Sequence, residues 1–241
     1  MTNSHLFLRK SAAYGVHLFT ASGAVWGFMA MYAILNAQWK VAILWMVLAM
    51  FVDGFDGILA RRADVKNYAP NIDGGLLDNI LDYFNYVIVP AVFFIEAPNI
   101  LPNGWNFPVA FIILLVSAYQ FTQSDAKTDG EDDYFFKGFP SYWNVVAVYM
   151  LVMQWNVWIN LGFLLLFSVL VFVPIKYIYQ TRSGYLKKVT LGVSYLYAAI
   201  GVWGIFQYPD VPKWVVWSSF VYVGYYVVLS FLPKDKLPLK K

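Results

Sequence analysis

The sequence predicts an all-α fold, a polytopic membrane helix bundle of about eight transmembrane helices with both termini inside. Of the 241 residues, 60% are hydrophobic and only 13% are charged, about half the charged share of a soluble domain. The apolar residues form long blocks, whereas a soluble core of this length would alternate polar and apolar faces. Blocks of roughly 18 or more apolar residues are typical of bilayer spans. The chain has no cysteine, which excludes disulfides and thiol catalysis.

Eight apolar blocks divide the chain, and no internal repeat, low-complexity tract or soluble domain separates them. We therefore expect one domain over residues 1–241. The fifth block is short, and residues 154–160 form either a tight turn between two spans or part of one broken helix. The predicted spans are Ala12–Leu35, Val41–Ala60, Gly75–Phe94, Trp105–Gln123, Tyr142–Trp155, Val157–Tyr179, Val189–Tyr208 and Trp214–Leu232.

Basic residues set the expected orientation of these spans. With the N-terminus inside, fifteen of the 17 lysines and arginines lie in inside segments or at inside span ends, and only Lys40 and Lys213 lie in outside loops. Cytoplasmic loops carry the excess of basic residues in membrane proteins, so this split predicts an even number of spans with both termini in the cytoplasm. The net charge of +3 is small and gives no indication of nucleic acid binding.

Four aspartates flank the junction between the second and third predicted spans. Asp53 and Asp56 are three residues apart, and Asp78 and Asp82 are four apart, so each pair shares a helix face. Carboxylates near membrane depth are costly and usually face the protein interior with a partner. Four together do not all stay ionised without cations, and an all-oxygen set suits Mg²⁺, Mn²⁺ or Ca²⁺. A cation transporter or channel built on intramembrane carboxylates is the alternative from a different class.

Small residues and an arginine accompany the aspartates. Gly57, Ala60 and Gly74 leave room for a nucleotide against the helix backbones. Arg61 offers a planar pair of donors to a phosphate. Enzymes that transfer phosphoryl groups typically have a metal that bridges phosphate oxygens and a carboxylate near the nucleophile. The transporter alternative does not account for the glycine, alanine and arginine pattern.

Together these positions resemble the signature of the CDP-alcohol phosphotransferase family, in which two aspartates precede Gly-x-x-Ala-Arg and Gly-x-x-x-Asp-x-x-x-Asp follows. Twelve residues, 62–73, separate the arginine from the second glycine, which is more than most of the family has. That spacing, the stretch 135–144 and the eight-span layout resemble the bacterial phosphatidylcholine synthases within the family. All eight signature positions are filled between residues 53 and 82, by Asp53, Asp56, Gly57, Ala60, Arg61, Gly74, Asp78 and Asp82.

The resemblance implies an enzyme that transfers a phosphatidyl group from CDP-diacylglycerol to choline and releases CMP. Asp82 would be the general base for the choline hydroxyl. Another member of the family with a different acceptor, such as a phosphatidylserine synthase, is the nearer alternative. The resemblance also implies a divalent metal, Mn²⁺ in preference to Mg²⁺, with four ligands: Asp53, Asp56, Asp78 and Asp82.

Binding partners and location follow from the same resemblance. We expect CDP-diacylglycerol, choline and membrane lipids as partners, with a homodimer left open. The location would be the bacterial inner membrane, as a multi-pass protein whose active site faces the cytoplasm. The cytidine diphosphate part of the substrate would be held by Asp56, Gly57, Ala60, Arg61 and Gly74.

A choline site is suggested by aromatic residues at the start of the fifth predicted span. Quaternary ammonium groups bind in aromatic cages through cation–π attraction, and Tyr142 and Trp143 lie in the stretch that resembles the choline-using subgroup. Asn144 would orient the choline hydroxyl or a phosphate. The alternative for the two aromatic residues is the ordinary aromatic belt at a membrane interface.

Overall fold

A computed structural model of the chain describes residues 3–123, 135–178 and 187–231. Five of the described helices are long and apolar enough to cross a membrane, and three further apolar helices are shorter. These eight confirm the predicted polytopic helix bundle. The described residues fall into two compact units, residues 3–97 with 143–147 and the remainder of the described chain. A single domain over residues 1–241 stays a prediction.

The first unit contains the aspartates of the signature. It is built from α1 and α2, a short helix α3, and a long helix interrupted by a π-helical turn, which we call the π segment. The long helix is continuous from Gly74 to Glu96, and the π segment is one turn within it. The bounds are α1 Asn3–Leu35, α2 Trp39–Arg62, α3 Val65–Tyr68, α4 Gly74–Tyr83, the π segment Phe84–Ile88 and α5 Val89–Glu96.

Helix α1 packs along α2 and also against the long helix that contains the π segment. Trp26 stacks on Trp45 across the first pair, with ring centroids 5.5 Å apart. A Cβ atom at Gly27 would collide with the side chains of Asn85 and Phe84. Glycine at this position therefore lets the π segment approach α1 closely, as small residues do between membrane helices.

The long spacing between the arginine and the second signature glycine is taken up by α3. Val65 and Ala69 are buried against Ala13 of α1. Arg9 donates a 3.0 Å hydrogen bond to the Tyr68 hydroxyl and lies 5.4 Å from the centroid of its ring. The extra residues of this loop thus form a small structure packed on α1.

The second unit holds the remaining described helices and a two-stranded ribbon. Strands β1 and β2 pair antiparallel, with residue 136 opposite residue 177. Helix α7 starts in the first unit, because residues 143–147 belong there, and continues in the second. The bounds are α6 Asn106–Thr122, β1 Phe135–Lys137, α7 Trp143–Met153, α8 Val157–Leu170, β2 Lys176–Ile178, α9 Lys187–Phe206 and α10 Lys213–Phe231.

The predicted sixth span, Val157–Tyr179, is too long, because α8 ends at Leu170. The backbone N–H of Phe139 donates a 3.0 Å hydrogen bond to the Leu170 carbonyl, which the end of a helix leaves without an intrahelical partner. Pro174 follows and cannot continue a helix. The helix therefore ends before the apolar block does, and the last part of the block includes a strand.

The regions predicted as the fifth and sixth spans contain two separate helices, α7 and α8, joined by a tight turn. Gln154 adopts a left-handed conformation with φ of 48° and ends α7. The Asn156 side chain then caps α8 by accepting a 2.9 Å hydrogen bond from the N–H of Trp158. At 11 residues, α7 is about 16 Å long, roughly half the thickness of a bilayer core.

Candidate active site

The four aspartates of the signature line one pocket in the first unit. Asp53 and Asp56 come from the C-terminal half of α2, and Asp78 and Asp82 come from successive turns of α4. One carboxylate oxygen each from Asp53, Asp78 and Asp82 lies within 4.8 Å of the others. These three side chains are half-buried.

This group of three carboxylates fits a divalent cation. All its donors are oxygen, which is the ligand type that Mg²⁺ and Mn²⁺ prefer. The oxygens are close enough for one or two ions to contact all of them. Three carboxylates so close together repel one another strongly unless a cation or protons neutralise them. Asp53, Asp78 and Asp82 are therefore the residues that would hold a metal here.

Asp56 differs from the other three aspartates. It is buried, with 8% of its surface exposed, and it lies outside the group of converging oxygens. Its side chain shares a hydrogen bond with Thr20 of α1, which also lines the pocket. The predicted role of Asp56 as a fourth metal ligand stays a prediction.

Two pocket residues of the π segment lie outside the signature. The Tyr86 hydroxyl donates a 2.6 Å hydrogen bond to Oδ2 of Asp53, and the neighbouring Asn85 lines the same pocket. Sequence reasoning missed both of them. Tyr86 follows Asp82 by four residues, as Asp82 follows Asp78, but this spacing places Tyr86 beside the aspartates only through the π-helical turn, which has no sequence pattern.

The predicted phosphate-binding residues of α2 lie at its C-terminal end. A Cβ atom at Gly57 would lie 3.4 Å from Nη1 of Arg61, so the guanidinium folds back over this glycine. Arg61 is exposed and its donors are open to a phosphate. Ala60 is half-buried and packs against the cluster around Ala13 of α1, so it faces another helix.

Gly74 starts α4, and Asp73 precedes it and caps the helix. Oδ1 of Asp73 accepts a 2.9 Å hydrogen bond from the N–H of Leu76. A Cβ atom at Gly74 would lie 3.2 Å from Cε1 of His17, so glycine makes room for this imidazole. His17 is 7% exposed, and its buried Nε2 has no hydrogen-bond partner among the described residues.

The three residues predicted to bind choline lie around the start of α7. Trp143 is fully buried and Asn144 is 2% exposed, whereas Tyr142 is half-buried. Oδ1 of Asn144 accepts a 2.8 Å hydrogen bond from the N–H of Val145. Tyr142 therefore has the most accessible side chain of the three.

A buried polar network holds the segment that leads to Tyr142. Ser141 is fully buried with a left-handed φ of 53°, and its hydroxyl donates a 2.5 Å hydrogen bond to Oε1 of Gln120. Gln120 in turn donates a 2.6 Å hydrogen bond from Nε2 to the carbonyl of Phe139. The sharp turn before α7 is thus fixed by side chains of α6.

The chain is similar to one described protein family and to several phosphatidylcholine synthases. The family model described as CDP-alcohol phosphatidyltransferase matches residues 17–225. Over 226 residues the chain is 42% identical to a phosphatidylcholine synthase of Legionella pneumophila, covering 91% of this chain and 88% of that protein. A phosphatidylcholine synthase of Borreliella burgdorferi is 36% identical over 207 residues, with 86% and 85% covered. One of Pseudomonas aeruginosa is 34% identical over 206 residues, with 85% of each covered.

Proposed function

The chain belongs to the CDP-alcohol phosphatidyltransferase family, and from this premise we propose that it is a metal-dependent phosphatidylcholine synthase. It transfers the phosphatidyl group of CDP-diacylglycerol to choline and releases CMP. The observation that carries the proposal is the convergence of three signature carboxylates, Asp53, Asp78 and Asp82, in one pocket. Choline as acceptor is supported by the names of the relatives, which match over most of their length.

The reaction needs a base, a bound diphosphate and an acceptor hydroxyl. Asp82 accepts the proton of the choline hydroxyl, and the oxygen then bonds to the phosphorus that carries diacylglycerol. The bond from that phosphorus to the CMP phosphate breaks, and CMP leaves. A bound Mn²⁺ or Mg²⁺ would neutralise charge on the phosphate oxygens. Asp53, Asp56, Asp78 and Asp82 are the residues proposed to hold it.

The nucleotide end of the substrate lies along α2 and the start of α4 in this proposal. Arg61 donates to the diphosphate with its planar guanidinium, and it is exposed next to Gly57. The N–H groups of Gly74 and Gly75 at the N-terminus of α4 favour phosphate, next to the N–H of Leu76 that Asp73 caps. The proposed residues for the cytidine diphosphate part are Asp56, Gly57, Ala60, Arg61 and Gly74.

An acceptor screen tests the function. Purified protein is incubated with Mn²⁺ and radiolabelled CDP-diacylglycerol, and each of choline, serine, glycerol 3-phosphate and inositol phosphate is supplied in turn. We expect CMP release and a labelled lipid product with choline, and neither without an acceptor. A preference for serine would contradict the choline assignment and leave a phosphatidyltransferase. Failure to release CMP with every acceptor would contradict the transferase function itself.

Tyr142, Trp143 and Asn144 are proposed to contact choline, and Tyr142→Ala is the informative variant. Removing Trp143, which is fully buried, would cost about 3–5 kcal/mol of stability whatever its role. Loss of one cation–π contact of about 0.5–2 kcal/mol should raise the KM for choline roughly two- to thirtyfold. The KM for CDP-diacylglycerol should stay near its wild-type value, and Tyr142→Phe should keep more affinity because it retains a π face.

The control for this variant is Tyr32→Ala, which removes an exposed tyrosine of α1. It should leave both KM values unchanged. A choline KM at the wild-type level in folded Tyr142→Ala protein would assign Tyr142 to the interfacial aromatic belt.

We place the active site at the cytoplasmic face of the bacterial inner membrane. Arg61, Arg62 and Lys66 are exposed at the end of α2 and on α3, and Arg9 bonds to Tyr68 at the same end of the first unit. Basic residues favour the cytoplasmic side. A single cysteine at position 66, in a chain with no other, is expected to react only with reagents that reach the cytoplasm. Labelling from the outer side alone would reverse the orientation.

A further inference from the structure

Tyr86 binds an aspartate of the signature although it is not part of the signature itself. Its hydroxyl donates a 2.6 Å hydrogen bond to Oδ2 of Asp53, and only 8% of its surface is exposed. We propose that Tyr86 is a positioning residue that holds the Asp53 carboxylate where it meets Asp78 and Asp82. The inference rests on the proposed function, because it takes Asp53 to be a metal ligand.

The bond between Tyr86 and Asp53 has the length of a strong contact. Hydrogen bonds from a hydroxyl to a carboxylate are 2.5–2.7 Å long when they are assisted by charge, and they are about twice as strong as neutral ones. An aspartate side chain without such a partner moves among several rotamers. Fixing one rotamer before a cation arrives removes part of the entropy cost of binding it. Outer-shell partners of metal ligands act in this way.

The π segment brings Tyr86 into line with the aspartates of α4. In a regular α-helix each step of four residues turns a side chain about 40° past the previous one. Tyr86 would then point about 80° away from Asp78. The hydrogen bonding of the π segment, from i to i+5, takes one more residue into the turn and reduces this rotation. The interruption of the helix at residues 84–88 therefore has a consequence at the metal-binding group.

The π segment is held in place by α1. A Cβ atom at Gly23 would lie 3.4 Å from Nδ2 of Asn85, and one at Gly27 would collide with Asn85 and Phe84. Asn85 and Tyr86 are both buried. Tyr86 thus donates its hydrogen bond from a closely packed backbone, which gives Asp53 a fixed partner.

Mn²⁺ binding to the purified full-length protein tests the proposal without turnover. Free Mn²⁺ is measured by electron paramagnetic resonance as the metal is titrated into wild type, Tyr86→Phe and Tyr226→Phe. Tyr86→Phe keeps the ring and loses the hydroxyl, so its Kd for Mn²⁺ should rise about 10–100-fold. The Tyr226 hydroxyl is also buried but has no hydrogen-bond partner among the described residues. Tyr226→Phe should therefore bind Mn²⁺ like wild type.

A double-mutant cycle shows whether the hydroxyl acts through Asp53. If it does, adding Tyr86→Phe to Asp53→Asn should change the Kd for Mn²⁺ less than twofold. Saturating Mn²⁺ should also restore most of the kcat of Tyr86→Phe, whereas the half-saturating Mn²⁺ concentration should remain raised.

Three outcomes would overturn the proposal. A Kd for Mn²⁺ within twofold of wild type in Tyr86→Phe would show that the hydroxyl does not position the ligand. If Tyr86→Phe lowers the affinity for Mn²⁺ equally on the Asp53→Asn background, the Tyr86 hydroxyl does not act through Asp53. A wild-type protein that binds no Mn²⁺ would contradict the proposed metal dependence as well. Melting curves in EDTA serve as the folding control, and a stability loss with unchanged Kd counts against positioning.

Discussion

Asp82→Asn should lower kcat by about 10²–10⁴-fold, the range that a positioned general base contributes. Asp82 lies one helical turn after Asp78, is half-buried, and lines the pocket with the other signature aspartates. Asparagine keeps its size but does not accept the proton of the choline hydroxyl. The loss should therefore appear in the chemical step and much less in the binding of CDP-diacylglycerol.

The measurement must separate the two roles proposed for Asp82. Because its oxygen belongs to the group that would hold metal, kcat is compared at saturating Mn²⁺, and CDP-diacylglycerol binding is measured in the same buffer. Asp210→Asn is the matched control, since this aspartate is exposed and lies between α9 and α10. Near-normal kcat in Asp82→Asn would remove it from the mechanism.

The signature aspartates could be predicted from the sequence because their spacing is local. Residues three or four apart on a helix share a face, and two such pairs on helices that are near in the chain can line one pocket. The partners of these aspartates could not be predicted in the same way. Thr20 reaches Asp56 from α1, and Tyr86 reaches Asp53 only through a π-helical turn. Neither the helix crossing nor the extra residue in that turn has a sequence pattern.

Hydropathy predicted the number of apolar helices well and their ends less well. Helix α1 begins at Asn3 rather than at Ala12, because the hydrogen bonding of a helix continues through polar residues that hydropathy excludes. Helix α8 ends at Leu170 although the apolar block continues. The Leu170 carbonyl accepts a hydrogen bond from the N–H of Phe139, and the strand that follows pairs with residues 135–137. Such contacts join distant parts of the chain.

Removal of divalent metal should abolish activity. The three oxygens of Asp53, Asp78 and Asp82 lie within 4.8 Å of one another, where their charges repel unless a cation is bound. EDTA should abolish CMP release by the wild-type enzyme, and added Mn²⁺ or Mg²⁺ should restore it. Mn²⁺ should also raise the melting temperature, because a cation that binds only the folded protein stabilises it.

Substitution at the ligands should reproduce the effect of EDTA. A metal ion contributes several kcal/mol to transition-state stabilisation, so Asp53→Asn and Asp78→Asn should each lower activity on the order of 10³-fold or more. At a fixed Mn²⁺ concentration both variants should show a much smaller rise in melting temperature, because they bind Mn²⁺ more weakly, whereas the exposed control Asp210→Asn should show the full rise. Asp56→Asn distinguishes two arrangements. If Asp56 is a fourth ligand, this variant should also show a smaller rise in melting temperature with Mn²⁺. If the main role of Asp56 is its contact with Thr20, the variant should keep the full rise. Full activity of metal-free wild-type protein would contradict the metal-dependent mechanism.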